Sequence, residues 1–226
     1  MLQLSICSGA PLELVIVGGA YKSGTSRLCE LIEERGYSNP GLLSNSTEHG
    51  HGISSGLYLT RECSIARNWN RRLVKAGPIE AAGIERQLAG YLIDMVCELG
   101  PKLVLKDPYM KMTALHWFRA AHSLGANKLT FLLTDRELLD VHRSWTNSRF
   151  ITWKERRNPE QFRQLVSPIA SDMRLELSQL AVSTRVVKYW DIVHLRPLEK
   201  FTGMELGKAT PRPFGSGISS SAALPA

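Results

Sequence analysis

"LELVIVGGAYKSGTSRLCELIEERG" (residues 12–36) changes its periodicity halfway along. Residues 12–17 are almost continuously apolar, the pattern of a strand buried on both faces. From Gly24 onward the apolar residues Leu28, Cys29, Leu31 and Ile32 fall at helical spacing, and Gly36 is a stop signal. A buried strand that passes through a glycine turn into an amphipathic helix opens a βα unit.

The rest of the chain repeats that alternation. "KLVLK" (102–106), "KLTFLLT" (128–134) and "TRVVKY" (184–189) read as three further strands. Ile84, Leu88, Tyr91, Leu92, Met95, Val96 and Leu99 make a helical stripe before the first of them. Leu115, Phe118 and His122 predict a helix before the second, and Leu138, Val141 and Trp145 one after it. A long helix is expected over residues 162–180, kinked or restarted at Pro168. Strands alternating with helices predict an α/β fold, a three-layer sandwich with a mainly parallel central sheet. Ligands in such folds bind beyond the carboxyl ends of the strands. Residues 21–26, 106–108 and 135–136 therefore belong to one edge. One domain is expected over residues 1–207, with a flexible tail rich in Pro, Gly and Ser over 208–226.

Composition narrows the function classes. The chain has 226 residues and carries 28 Lys and Arg against 21 Asp and Glu, a formal charge of +7. That excess suits a polyanionic partner. No long basic run with interleaved aromatics is present, so a nucleic-acid partner is not expected. Nor is a transmembrane segment, because no apolar run approaches a membrane span. The first residues lack a basic region and lead straight into the strand, so they do not read as a signal peptide. Cys7, Cys29, Cys63 and Cys97 are scattered, without a C-x-x-C pair. Reduced thiols and a cytoplasmic location are expected.

The turn itself follows the outline of a triphosphate-binding loop, G-x-x-x-x-G-K-[ST], with a difference. Gly19 to Ser26 reads G-A-Y-K-S-G-T-S, so Thr25 stands at the lysine position and Lys22 precedes the second glycine. The context still suits an anion. Backbone amides at a helix start point outward and the helix dipole favours negative charge there. Ser23, Gly24, Thr25 and Ser26 would cradle it, with Lys22 reaching over it.

K-S-G-T-S after an apolar strand resembles the 5′-phosphosulfate loop of sulfotransferases, commonly [KR]-[ST]-G-T-[ST]. The resemblance implies a P-loop nucleoside triphosphate hydrolase-like architecture and 3′-phosphoadenosine 5′-phosphosulfate (PAPS) as co-substrate, with no metal. It also implies an arginine at a strand end and a serine eight residues later to hold the 3′-phosphate. "LLTDRELLDVHRSW" supplies Arg136 and Ser144. Arginine suits phosphate because its planar fork donates two charge-assisted hydrogen bonds. "LVLKDP" (103–108) resembles the strand end of bacterial sulfotransferases, in which the lysine, here Lys106, contacts the transferring group. "VVKYWDIV" (186–193) is similar to the late segment whose tyrosine, here Tyr189, lies near the adenine.

Sulfuryl transfer also needs a base for the acceptor hydroxyl. "TEHGHG" (47–52) supplies Glu48, His49 and His51, and Asp107 is a further candidate. Lys22, Lys106, Glu48 and His49 are the expected catalytic set. The acceptor is expected to be a small molecule, a lipid or a glycan. Two departures from the family stand out. Gly56-Leu57-Tyr58-Leu59 lacks the glutamate of G-Y-[FW]-E, and Asp107 stands in the K-x-H segment, which here ends in Pro108. They keep open a non-catalytic PAPS-binding protein and a degenerate P-loop kinase or NTPase.

Overall fold

A strand covered on both faces needs apolar side chains in both directions, and the strand over Glu13–Gly18 meets that demand. We describe residues 10–20, 23–41, 62–146, 163 and 166–193 of a computed structural model. Four strands, β1 (Glu13–Gly18), β2 (Lys102–Lys106), β3 (Lys128–Asp135) and β4 (Ser183–Lys188), form one sheet in the order β2-β1-β3-β4. Every neighbouring pair is parallel. The helices are α1 (Thr25–Glu33), α2 (Ser64–Leu73), α3 (Pro78–Leu99), α4 (Met110–Ser123), α5 (Leu138–Thr146), α6 (Ser171–Gln179) and α7 (Tyr189–Val193).

The alternation hidden in the apolar run of β1 sorts the helices into two layers. Leu14 and Ile16 pack with Leu88 and Leu92 of α3, Phe118 of α4 and Leu177 of α6. Val15 and Val17 pack on the opposite face with Leu28, Leu31 and Ile32 of α1 and Ile192 of α7. The protein is thus α/β, with an all-parallel sheet flanked by helices, as the alternation predicts.

Three details go beyond or adjust the expected pattern. Helix α2 was not expected. Its buried stripe is Ala66, Asn70 and Leu73, and the central asparagine breaks the apolar signal. The helix expected over 162–180, kinked or restarted at Pro168, is helical at residues 163 and 166, breaks over 167–170 and resumes over Ser171–Gln179. Pro168 lies in that break; it restarts the helix rather than kinking it. The fourth strand ends at Lys188, and Tyr189 begins α7. The tail from residue 208 lies outside the described residues.

Phe131 of β3 is fully buried and meets the Phe118 ring edge-on, with centroids 5.9 Å apart. Phe131→Ala is expected to lower unfolding free energy by about 3–5 kcal/mol in urea denaturation, through lost burial and the cavity left behind.

Candidate functional site

The strand order creates the crevice. The chain leaves β1 for β2 on one side and returns to β3 on the other, and the helices α1 and α4 lie on opposite faces of the sheet. Such a switch point opens beyond the carboxyl end of the central strand. At this edge the register pairs Val17 with Lys106, Gly18 with Leu133, and Asp135 with Lys188.

The turn after β1 is held by β3. Gly19 has φ of 152°, and a Cβ there would lie 2.0 Å from Thr134 Oγ1. The Ser23 hydroxyl donates to the Ala20 carbonyl at 2.6 Å and lies 2.5 Å from Thr134 Oγ1. Its side chain therefore faces inward and fastens the turn. Gly24 caps α1 in the left-handed conformation, φ 91°, which a glycine adopts without steric cost. Thr25 is buried in the first turn of α1, and Ser26 follows half-buried.

Tyr189 closes the other side of the turn. A Cβ on Gly24 would lie 3.0 Å from Tyr189 Cδ2 and 3.3 Å from Ile192 Cδ1, so α7 starts directly against the loop. The Arg136 guanidinium stacks over the same tyrosine ring, 4.2 Å from its centroid. Residues 24, 136 and 189, far apart in sequence, thus meet in one chain of contacts. Ser144 sits half-buried on α5. Its position is about 9 Å along the helix axis from Leu138.

Lys106 has a different setting. It is buried, and its Nζ donates to Glu62 Oε1 at 2.7 Å. Arg67 pairs with Glu62 Oε2 and also donates from Nε to Asp107 Oδ2 at 3.2 Å. Asp107 Oδ1 accepts from Asn70 Nδ2 at 3.1 Å and from the Tyr109 amide at 2.9 Å. Asn70 Oδ1 in turn accepts from the Thr113 hydroxyl and the Trp117 indole. Asp107, a candidate base in the sequence, is completely buried and tied to three donors, so its role here is to fasten α2 and α4 to the end of β2. His116 pairs with Glu85 across α3 and α4, away from this edge.

Sequence reasoning missed four residues of the site. Glu62 and Arg67 lie in a segment without an apolar stripe, and Thr134 reads as an ordinary strand residue. The fourth is Lys111, in the first turn of α4. Burial pushes its pKa down to about 8, and the Asp135 charge pulls in the opposite direction. A basic residue followed by Asp-Pro and a helix was the available signal for Lys111.

Lys22, Glu48, His49 and His51 lie outside the described residues. Among the described residues no group of three or more His, Cys, Asp or Glu side chains is arranged to hold a metal ion. No helix among them is long and apolar enough to cross a membrane. Cys29 and Cys63 are free and buried.

Fold and site together define a parallel α/β protein with a glycine turn fastened at its switch point. No protein-family model and no curated protein matches the sequence.

Two predictions test this geometry. Gly19→Ala is expected to destabilise the protein by at least about 1–3 kcal/mol from backbone strain. Part of the loss comes from overlap with Thr134 Oγ1. Denaturation of Gly19→Ala, Thr134→Ala and the double variant should therefore give a coupling energy of about 0.5–3 kcal/mol; strict additivity would exclude that contact as the cause. The second concerns Lys111, whose folded pKa lies below its ordinary value of 10.5. Between about 8 and 10.5 the unfolded chain binds more protons, so stability rises with pH across that window. The difference in stability between wild type and Lys111→Met should change in that direction between about pH 7.5 and about pH 9.5.

Proposed function

We propose that this protein is a PAPS-dependent sulfotransferase of P-loop architecture. One observation carries the reading. The glycine turn, Arg136 and Tyr189 are the three elements that the resemblance assigns to the 5′-phosphosulfate, the 3′-phosphate and the adenine, and in the fold they touch in sequence: Gly24 against Tyr189, and Tyr189 under Arg136. The sheet register brings Arg136 beside Tyr189, because they follow the paired residues Asp135 and Lys188, and α7 then sets the tyrosine against Gly24.

In this reading the amides of the turn and the first turn of α1 hold the 5′-phosphosulfate, with Lys22 above it. Arg136 takes the 3′-phosphate through the N–H groups in its plane while its flat face rests on Tyr189. The acceptor oxygen attacks sulfur in line with the departing 5′-phosphate oxygen. One S–O bond forms as the other breaks, and the acceptor proton passes to the base. Lys106 stabilises the charge on the moving sulfuryl oxygens and Lys22 that on the leaving phosphate. Glu48 and His49 stay the proposed base residues. Ser144 is a proposed 3′-phosphate ligand, and the acceptor is proposed to be a small molecule, a lipid or a glycan. A cytoplasmic location, argued from the scattered cysteines, is part of the same proposal.

The burial of Lys106 against Glu62 favours a second reading, a PAPS-binding protein that does not transfer sulfate. Calorimetry with adenosine 3′,5′-bisphosphate tests the site common to both. We expect one ligand per chain and at least about tenfold weaker binding in Arg136→Ala and in Lys22→Ala. Absence of binding at high micromolar ligand would sink both readings. Release of the bisphosphate from PAPS on adding candidate acceptors separates the enzyme from the binding protein.

A further inference from the structure

Three carboxyl side chains are buried among the described residues: Glu62, Asp107 and Asp191. Glu62 pairs with Lys106 and Arg67, and Asp107 accepts from three donors. Asp191, in the first turn of α7, differs from both. It is 9% exposed, and among the described residues it makes no hydrogen bond and no ion pair. Buried polar groups are nearly always hydrogen-bonded, because their desolvation is otherwise uncompensated. The exception points to a donor that arrives with a ligand.

Its place in the fold says which ligand. Helix α7 begins at the carboxyl end of β4, directly after the paired residues Asp135 and Lys188. Two neighbours of Asp191 in that helix face the glycine turn. A Cβ on Gly24 would lie 3.0 Å from the Tyr189 ring and 3.3 Å from Ile192 Cδ1. Asp191 is only about 3 Å further along the helix axis than Tyr189. Its carboxyl group is therefore buried within the short element that closes the turn and carries the ring beneath Arg136.

We propose that Asp191 is a binding residue for the nucleoside, accepting a hydrogen bond from the exocyclic amino group of adenine. The proposal rests on the sulfotransferase reading given above, in which Tyr189 lies near that base. A carboxylate oxygen matches an N–H donor and is mismatched to a carbonyl. Adenine carries an amino group where hypoxanthine carries an oxygen. Opposite adenine, Asp191 gains a donor. Opposite hypoxanthine, two acceptors face each other and the buried carboxyl group gains none, the condition under which a hydrogen-bonding site discriminates. The turn and Arg136 meet phosphates, which are the same for every base. Asp191 is the residue that selects among bases.

Calorimetric titration of the full chain with the 3′,5′-bisphosphates of adenosine, inosine and 2′-deoxyadenosine tests this, using wild type, Asp191→Asn and Asp191→Leu. Wild type should bind the adenosine compound at least about tenfold more tightly than the inosine compound. In both variants that ratio should fall to within about twofold, because an amide can turn its NH2 toward the hypoxanthine oxygen and leucine has no acceptor. The ratio between the adenosine and 2′-deoxyadenosine compounds should be the same in all three proteins. Asp191→Asn is nearly isosteric and serves if Asp191→Leu fails to fold in a thermal melt. Equal binding of the adenosine and inosine compounds by wild type, or discrimination that persists in a folded variant, overturns the proposal. So does a variant that loses a preference for the 2′-hydroxyl instead, which would assign Asp191 to the sugar. If wild type binds none of the three, the sulfotransferase reading itself fails and this proposal falls with it.

Discussion

Everything at the carboxyl edge of the sheet depends on how closely the exit of β1 approaches β3. Gly19 leaves no space between its Cα and Thr134 Oγ1, and Ser23 then bonds to that same oxygen. This contact fixes where the turn ends and so where α1 begins. With α1 fixed, Gly24 offers a bare backbone surface, and the Tyr189 ring packs on it. Tyr189 in turn gives the Arg136 guanidinium a face to rest on. A single steric constraint between neighbouring strands thereby propagates across the sheet to β4.

The second organising feature is the charge network at the end of β2. Buried ion pairs seldom add net stability, because desolvation offsets their attraction. What the cluster does give is connection: Asp107 and Asn70 join α2, α4 and β2 through five hydrogen bonds. Glu62 joins Lys106 to Arg67, and so links the end of β2 to α2 through charge as well.

Much of the fold was legible because parallel sheets advertise themselves. Strands buried on both faces appear as short apolar runs, and the intervening helices show their stripes. All four strands were placed to within a residue or two at each end. What stayed hidden had polar residues at core positions. Asn70 occupies the middle of the α2 stripe, where its amide satisfies Asp107, Thr113 and Trp117. A pattern that counts apolar residues reads that position as surface. The site followed the same rule. The turn and Arg136 were visible because backbone geometry and phosphate chemistry restrict residue choice there. Glu62, Arg67 and Thr134 act through pairwise contacts between distant segments, and a spacing rule has no access to those contacts.

Three cations gather at this edge, and each meets a different kind of group. Arg136 rests on an aromatic face, an attraction of about 0.5–1 kcal/mol where solvent is near, and this leaves the plane of the guanidinium as its hydrogen-bonding direction. Lys111 feels Asp135 while burial holds its pKa near 8, so an added negative charge would favour its protonated form. Lys106 pairs with Glu62, whose second oxygen meets Arg67. These three groups lie on different segments, at the end of β2, in the first turn of α4 and just beyond β3, and the parallel sheet brings all three to its carboxyl edge.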